Sequence, residues 1–278
     1  MTLDGANVLV FGSERSGRSV ASAALKRNAR VAIVDERAIQ ASPELERLAA
    51  QGATIHERFA GDWATLDAEL IVVSPGVPRD HPGLAAAKAA GRTIVSEIEF
   101  AYGLAKAPIV AITGTNGKST TTVMTHLCLR EAGVDAKLCG NIYGSGYPEQ
   151  TLTEAADDSD AEQVLVAEIS SFQLEWAGEF RPRSAIITNL SDDHLNRYAG
   201  FEDYAATKRR IFAQMGEGDY AVWHARDPMT EPPRNPGLKV LSFGPAGSEA
   251  WTDAEGLHFG HTCLDLESLP FSEEHNFL

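Results

Sequence analysis

The stretch VAITGTNGKSTTT, residues 110–122, joins an apolar strand to a helical pattern. In the usual phosphate-binding loop, GxxxxGK[ST], four residues separate the two glycines, whereas here only two do. Backbone amides at the start of a helix point towards an anion, a lysine neutralises phosphate charge, and a hydroxyl can bind Mg²⁺. The stretch therefore predicts a shortened nucleotide-binding loop made of Gly114, Thr115, Asn116, Gly117, Lys118, Ser119 and Thr120.

A glycine-rich turn capped by Ser and Thr is the alternative interpretation, and the tripeptide GKS alone would not exclude it. The complete order of strand, glycines, lysine, hydroxyls and helix favours the nucleotide loop. The shortened spacing disfavours an ordinary P-loop kinase or GTPase.

Apolar strands alternate with helical patterns on both sides of this loop. Residues 7–12, 30–35, 70–76 and 93–97 are rich in Val and Ile and lack alternation, as in parallel strands covered on both faces. Helical patterns lie between them, and the series resumes at residues 163–170 and 184–191. After Gly218 the pattern becomes β-rich, whereas residues 153–162 predict a solvated acidic loop.

These patterns predict an α/β protein of two domains. Residues 1–98 would form a Rossmann-like domain with a parallel sheet, which we expect to bind the substrate. Residues 99–278 would form a P-loop NTPase-like central α/β domain with added β-hairpins.

Composition limits the possible partners. The chain of 278 residues has a net charge of −15, which argues against a nucleic-acid partner. Its three cysteines form no metal-binding or CxxC spacing, as expected of a reduced protein. We find no signal-peptide pattern and no apolar run of the roughly 18 residues that span a bilayer. We therefore expect a cytoplasmic monomer with no membrane partner.

The turn GSERSG, residues 12–17, follows the first strand and opens a helix. It resembles the dinucleotide-binding pattern GxGxxG, but Glu14 replaces the middle glycine. A glutamate there would repel a pyrophosphate and block close approach of the backbone, which argues against NAD. A helix start made of small residues is the alternative interpretation of this turn.

The motifs as a set resemble those of the Mur ligases and of their relatives, the folylpolyglutamate synthetases. TGTNGKS is followed by GNI (140–142), EISSFQLE (168–175), TNLSDDHLNRY (188–198) and YAATKRRIF (204–212), and SPGV (74–77) precedes it. This order and spacing match the family throughout the chain. SSFQLE and DHLNRY are typical of the MurD type, which joins glutamate to UDP-N-acetylmuramoyl-L-alanine.

The resemblance implies an ATP-dependent amide ligase of peptidoglycan synthesis. Such enzymes phosphorylate a carboxylate with ATP, and the nitrogen of an amino acid attacks the acyl phosphate. The small-molecule partners would be ATP, glutamate and UDP-N-acetylmuramoyl-L-alanine, with two Mg²⁺ ions. The implied catalytic residues are Lys118, Asn141, His194 and Lys208, and the implied metal-binding residues are Ser119, Glu168, His194 and Lys208.

Each metal-binding assignment has a structural alternative. Glu168 ends a buried strand, where its carboxylate suits Mg²⁺, although it could instead cap the following helix. His194, with Asp193 supporting it, is assigned through the motif alone. Lys208 would ordinarily be an exposed helical lysine; the resemblance implies that it is carbamylated and thereby becomes an oxygen ligand.

The resemblance also implies a site for the uridine diphosphate group in the N-terminal domain. Asp35 and Arg37 would lie near the uracil. The implied substrate-binding residues are Ser13, Arg15, Ser16, Asp35, Arg37, Ser74 and Asn141.

The chain departs from the family pattern at three places. Cys139 stands where a glycine is usual, and His224 stands where an asparagine is usual near the adenine. In the family, a GxHNxxN motif begins a C-terminal domain that binds glutamate; here the chain ends at EEHNFL, with Glu273 replacing the glycine. We therefore expect a fragment without that C-terminal domain.

Two other functions remain open. One is a sibling ligase of another Mur type or of the folylpolyglutamate type, against which SSFQLE and the compact first domain count. The other is a non-catalytic module that binds ATP or the UDP-muramoyl substrate without turnover.

Overall fold

A computed structural model describes residues 2–61, 67–194, 196–253 and 255–265. The chain forms two units, one of residues 1–109 with 119–180 and one of residues 110–118 with 181–278. The EEHNFL segment, at which we expect the chain to stop short of the family's C-terminal domain, lies outside the described residues.

The first unit contains a five-stranded parallel sheet in the order β3-β2-β1-β4-β5. Its side chains are covered on both faces, since Leu9 and Val10 are 1% and 0% exposed. This burial explains the runs of Val and Ile and confirms the predicted parallel sheet. The strands are β1 (Asn7–Phe11), β2 (Arg30–Val34), β3 (Thr54–His56), β4 (Leu70–Val73) and β5 (Thr93–Ser96).

Several helices of this unit pack apolar residues against the strands. In α1, Val20, Ala21 and Ala24 belong to the same buried cluster as Val10 and Ile33. Burying a side chain such as valine contributes roughly 1.5–3 kcal/mol. The helices are α1 (Arg15–Leu25), α2 (Pro43–Ala50), α3 (Pro82–Ala89), α4 (Glu97–Tyr102), α5 (Lys118–Glu131), α6 (Leu152–Asp157) and α7 (Ser171–Leu174).

Two further strands of this unit carry site residues at their ends. Strand β7 (Ala136–Gly140) pairs in parallel with β8 (Val164–Glu168), so that Gly140 lies opposite Glu168. Carboxyl ends of parallel strands lie at the same sheet edge, where ligand sites of α/β proteins form.

The prediction of a solvated acidic loop at residues 153–162 is wrong for its first part, which belongs to α6. Thr151 and Glu154 form a reciprocal capping box, in which each side chain accepts a backbone N–H of the other residue. Leu152 is fully buried, and Asp157 forms ion pairs with Lys26 and Arg27. The acidic residues are thus a helix cap and an ion-pair partner rather than a solvated chain.

Seven strands of the second unit occur in the order β14-β13-β12-β11-β10-β9-β6. The neighbours from β6 to β12 are parallel, and β12, β13 and β14 form antiparallel hairpins, which confirms the predicted fold class. The strands are β6 (Ile109–Thr113), β9 (Ser184–Ile187), β10 (Tyr220–His224), β11 (Lys239–Gly244), β12 (Ala250–Thr252), β13 (Leu257–Phe259) and β14 (Thr262–Leu264).

Helix α8 (Phe201–Arg209) of the second unit continues as a 3-10 turn at Arg210–Phe212. Tyr204, Ile211 and Phe212 are buried in this segment. None of the helices in the described parts of the chain combines the length and the apolar character that a bilayer span requires.

Candidate nucleotide and substrate sites

The loop between β6 and α5 has the strand–turn–helix geometry that the sequence predicts. Gly114 has a φ of 147°, and a Cβ there would lie 1.9 Å from Thr188 Oγ1. The position therefore requires glycine. Lys118 begins α5 and donates from Nζ to the carbonyl oxygen of Thr115 at 2.8 Å. Thr120 is exposed in the first turn of the helix.

The segment that follows β9 holds this loop. Thr188 Oγ1 donates to the carbonyl oxygen of Asn116 at 2.7 Å, and Asn189 Oδ1 accepts the Asn116 N–H at 3.0 Å. Thr115 Oγ1 lies 3.1 Å from the hydroxyl oxygen of Tyr204. The loop conformation is thus fixed by side chains more than 70 residues away in sequence.

In the first unit, three predicted residues meet at the ends of β7 and β8. Ser119 Oγ donates to Glu168 Oε2 at 2.6 Å, and Asn141 Nδ2 donates to Glu168 Oε1 at 3.2 Å. Gly140 allows this approach, because a Cβ there would lie 2.2 Å from the Glu168 carbonyl oxygen. The Glu168 carboxylate is therefore oriented by a hydroxyl and an amide.

In the second unit, Lys208 is buried rather than exposed, with 2% of its surface accessible. Its Nζ donates to Thr113 Oγ1 at 3.2 Å and lies 5.1 Å from the centroid of the Tyr204 ring. The Tyr204 hydroxyl in turn contacts Thr115 of the loop. The ordinary interpretation of Lys208 as a solvated lysine is therefore wrong.

His194 lies beside Asp193, as we expected. Asp193 Oδ1 accepts the backbone N–H of His194 at 2.9 Å, and Asp193 Oδ2 lies 3.5 Å from His194 Nε2. The φ of His194 is 51°, in the left-handed region that few non-glycine residues occupy.

The chemistry of these side chains fits Mg²⁺, which prefers oxygen ligands. Ser119 and Glu168 provide a hydroxyl and a carboxylate whose oxygens lie 2.6 Å apart. Among the residues that the structure describes, no group of three or more His, Cys, Asp or Glu side chains forms a preassembled metal site. Ser119 and Glu168 would therefore share an ion with phosphate oxygens, as is usual for nucleotide-bound Mg²⁺.

A pocket of about 540 Å³ lies within the first unit, at the carboxyl ends of β1, β2 and β4. This edge is where parallel α/β sheets bind ligands. Of the predicted substrate residues, six line it: Arg15, Ser16, Asp35, Arg37, Ser74 and Asn141.

The seventh predicted substrate residue, Ser13, does not line the pocket but contacts Asp35. Both its backbone N–H and its hydroxyl donate to Asp35 Oδ2, at 3.1 and 2.9 Å. Arg37 donates to the other oxygen from its backbone N–H at 3.0 Å. Burial would raise the pKa of Asp35, but the hydrogen bonds from Arg37 and Ser13 outweigh it and hold this pKa below its ordinary value.

Sequence reasoning assigned no role to several residues that line the pocket. His81 caps the start of α3, accepting the Gly83 N–H at Nδ1, and its Nε2 therefore donates to Glu36 Oε1 at 2.9 Å. A histidine before Pro82 at the start of a helix is the signal that could have identified it. The other unassigned lining residues include Glu97, Tyr143, Thr151 and Gln173.

Glu97 is a buried acid in the pocket wall, 1% exposed. Its Oε1 accepts the Thr153 N–H at 2.7 Å and its Oε2 accepts from Gln173 Nε2 at 3.2 Å. Burial raises its pKa, since neither donor carries a charge. Glu97, at the start of α4, is thus hydrogen-bonded to Thr153 in α6 and to Gln173 in α7.

Comparison with protein families gives two matches that together cover most of the chain. The Mur ligase middle domain matches residues 112–276, which is more than half of the chain. The MurD-like N-terminal domain of Mur ligases matches residues 6–96. The predicted family and its MurD type are thereby confirmed.

Curated relatives agree with this result. The chain is 41% identical over 232 residues to a UDP-N-acetylmuramoylalanine--D-glutamate ligase from Geobacter metallireducens, covering 82% of this chain and 50% of the relative. It is 34% identical over 289 residues to the protein of the same name from Desulfatibacillum aliphaticivorans, covering 99% and 62%. The chain thus spans about half the length of the curated relatives it matches.

Solved structures support the fold alone, because their sequence identities are low. A UDP-N-acetylmuramate:L-alanyl-gamma-D-glutamyl-meso-diaminopimelate ligase from Neisseria meningitides has a TM-score of 0.62 at 16% identity, with 98% of this chain and 90% of that chain covered. A murein peptide ligase from Psychrobacter arcticus has a TM-score of 0.55 at 20% identity, with 93% and 59% covered. The two domain matches, rather than this likeness in fold, establish that the chain belongs to the Mur ligase family.

Proposed function

We propose that the chain carries the ATP site and the UDP-substrate site of a ligase that adds glutamate to UDP-N-acetylmuramoyl-L-alanine in peptidoglycan synthesis. The observation that supports this most is the position of Asn141. It lines the pocket of the first unit and also donates to Glu168, which accepts from Ser119 after the loop. One amide therefore connects a substrate pocket with a candidate phosphate and metal site.

The proposed reaction forms an amide in two steps. The terminal carboxylate of the substrate attacks the γ-phosphorus of ATP, which gives an acyl phosphate and ADP. The amino nitrogen of glutamate then attacks the acyl carbon, and phosphate leaves with the C–O electron pair while the nitrogen loses a proton. Positioning and neutralisation of charge provide most of the rate in such phosphoryl transfers.

The residues around the loop have separate roles in this proposal. The backbone amides after Gly114 bind phosphate oxygens, and Lys118 exchanges its contact with the Thr115 carbonyl for the nucleotide phosphates. Asn141 orients the substrate carboxylate or the γ-phosphate. The exposed side chain of His194, held by Asp193, supports phosphate bound at the loop of the second unit.

Magnesium, when bound, neutralises the phosphate oxygens and so promotes transfer of the phosphoryl group. We assign Ser119 and Glu168 to one ion, and His194 and Lys208 to a second. Lys208 would act as a carbamate, a modification that its burial and its neighbour Thr113 favour by shielding the group from water.

The UDP group would occupy the pocket of the first unit. The Asp35 carboxylate, kept ionised by Ser13 and Arg37, suits the N–H of a uracil ring. Arg15 and Ser16 begin α1 and would contact the diphosphate, with Ser74 near it. We further propose that the protein is a cytoplasmic monomer.

The test is phosphate release in the presence of ATP, Mg²⁺, UDP-N-acetylmuramoyl-L-alanine and glutamate. The whole-length Geobacter metallireducens relative serves as the positive control. We expect binding of both ATP and UDP to this chain by calorimetry, and we expect Lys118→Ala to weaken ATP binding at least tenfold without changing UDP binding. Undiminished ATP binding by that variant would contradict the assigned loop.

Binding of both ligands without turnover is the second function that we consider. The same assay separates the two. Glutamate-dependent phosphate release by this chain would support the ligase, whereas binding of both ligands with no release would support the module.

A further inference from the structure

Arg15 is held at the wall of the pocket by two carboxylates. Its Nη1 lies 3.3 Å from Glu149 Oε2, and its Nη2 lies 3.6 Å from Glu154 Oε2. Its guanidinium carbon lies 6.0 Å from the centroid of the Tyr143 ring, which also lines the pocket. The Arg15 side chain is 24% exposed, so it is accessible to a ligand that enters the pocket.

The carboxylate contacts of Arg15 affect the binding of an anion because of the other charges that line the pocket. Among the residues that the structure describes, four acidic residues and two arginines line the pocket, and the second arginine, Arg37, is paired with Asp35 at 3.3 Å. Both cations of the wall are therefore engaged by carboxylates before any anion enters. A polyphosphate ligand must take over one of these cations to offset its own charge.

We propose that Arg15 makes the pocket selective for a diphosphate, and that Glu149 and Glu154 lower the affinity by competing with that ligand for the guanidinium. The inference rests on the proposed binding of UDP and concerns how that same site is regulated. Binding becomes an exchange, in which Arg15 leaves the two glutamates for the phosphate oxygens. A bidentate guanidinium–phosphate contact is stronger than the longer contacts that it replaces.

Glu149 is the better residue for a test, because its two oxygens have separate partners. Oε1 accepts the Gly144 N–H at 2.9 Å, whereas Oε2 faces Arg15. Glutamine retains an acceptor for Gly144 and removes only the charge. Glu154 also belongs to the capping box of α6, so its replacement would disturb the helix.

The expected change in UDP affinity follows from the solvent exposure of Glu149. The Glu149 side chain is 40% exposed, and ion pairs with this much solvent are weak. We expect Glu149→Gln to tighten UDP binding about two- to fivefold at low salt, with a smaller gain at high salt.

The experiment compares UDP with uridine by calorimetry in wild type, Glu149→Gln, Arg15→Gln and the double variant. Glu162→Gln, an exposed charge change in the same unit, is the control. We expect tighter UDP binding in Glu149→Gln, unchanged uridine binding, and no gain from Glu149→Gln when Arg15 is already replaced.

Four results would overturn the inference. If Glu149→Gln tightens uridine binding as much as UDP binding, the effect does not act through the guanidinium. The same conclusion follows if the tighter binding persists when Arg15 is replaced. If UDP binds wild type and Glu149→Gln equally, the competition is absent while the proposed pocket function stands. If UDP does not bind wild type at all, the proposed function fails and the inference fails with it.

Discussion

Glu97 illustrates how a single buried side chain acquires unusual properties from its surroundings. It is almost completely buried and receives hydrogen bonds from Thr153 and Gln173, but from no cation in these contacts. Burial without a compensating charge disfavours the ionised carboxyl and raises its pKa. The residue therefore makes the pocket wall sensitive to pH.

The sign of this dependence follows from proton linkage. The folded protein binds the Glu97 proton more tightly than the unfolded chain, whose ordinary pKa is 4.5. Its contribution to stability is complete below that value and is lost as the pH rises through the higher pKa of the folded state.

We predict that Glu97→Gln removes the loss of stability that accompanies ionisation of Glu97, because glutamine stays neutral at every pH. In urea unfolding from pH 4.5 upwards, the free energy of unfolding of the variant should rise relative to that of wild type as the pH increases. Glu162→Gln is the control and should show no comparable trend. A constant difference between Glu97→Gln and wild type across the pH range would contradict the argument.

Helix α6 is an element that the amino-acid composition of its region does not reveal. Its region is rich in acidic residues, yet Leu152, Ala155 and Ala156 are at most 1% exposed. The Thr151–Glu154 capping box satisfies backbone N–H groups at the start of the helix, and Asp157 pairs with Lys26, which follows α1. A helix of six residues depends on such contacts, because short helices are marginal alone.

We predict that Thr151→Ala destabilises the protein by about 1 kcal/mol, because it removes the side-chain oxygen of the cap. Thr151→Ser keeps this oxygen and should recover most of the stability. Urea unfolding of both variants provides the measurement. Equal losses in the two would show that the methyl group, rather than the cap, stabilises this position.

The whole molecule consists of two units, and the proposed UDP pocket lies in the first. A ligand that binds only the folded state protects the backbone that it contacts from opening. The pocket is formed by turns that follow β1, β2 and β4 together with residues from β7 to α7.

We predict that UDP slows amide hydrogen exchange in peptides from residues 11–16, 35–37, 74–81 and 140–151. Peptides from β12 to β14 in the second unit serve as the internal control and should change little. Mass spectrometry with and without saturating UDP provides the measurement. Protection confined to the second unit would place the nucleotide elsewhere.

Predictability differed among the elements for physical reasons. The strands of the first sheet were predictable because burial on both faces leaves runs of Val and Ile in each strand. Strands β3 and β7 were not predicted, because their sequences, TIH and AKLCG, contain no run of Val and Ile. The site residues in motifs were predicted from the resemblance to the family, whereas the burial of Lys208 could not be read from its helix.

The amino-acid order was enough to predict the strand–turn–helix loop, the α/β succession and the family. Those features depend on neighbouring residues: glycines that permit a turn, hydroxyls at a helix start, and apolar runs that need covering. The contacts within the pocket wall could be identified only from the tertiary structure. Glu97 meets partners 56 and 76 residues away, and Arg15 meets Glu149 across 134 residues. Such contacts arise from how sheets and helices pack, which no short stretch of sequence encodes.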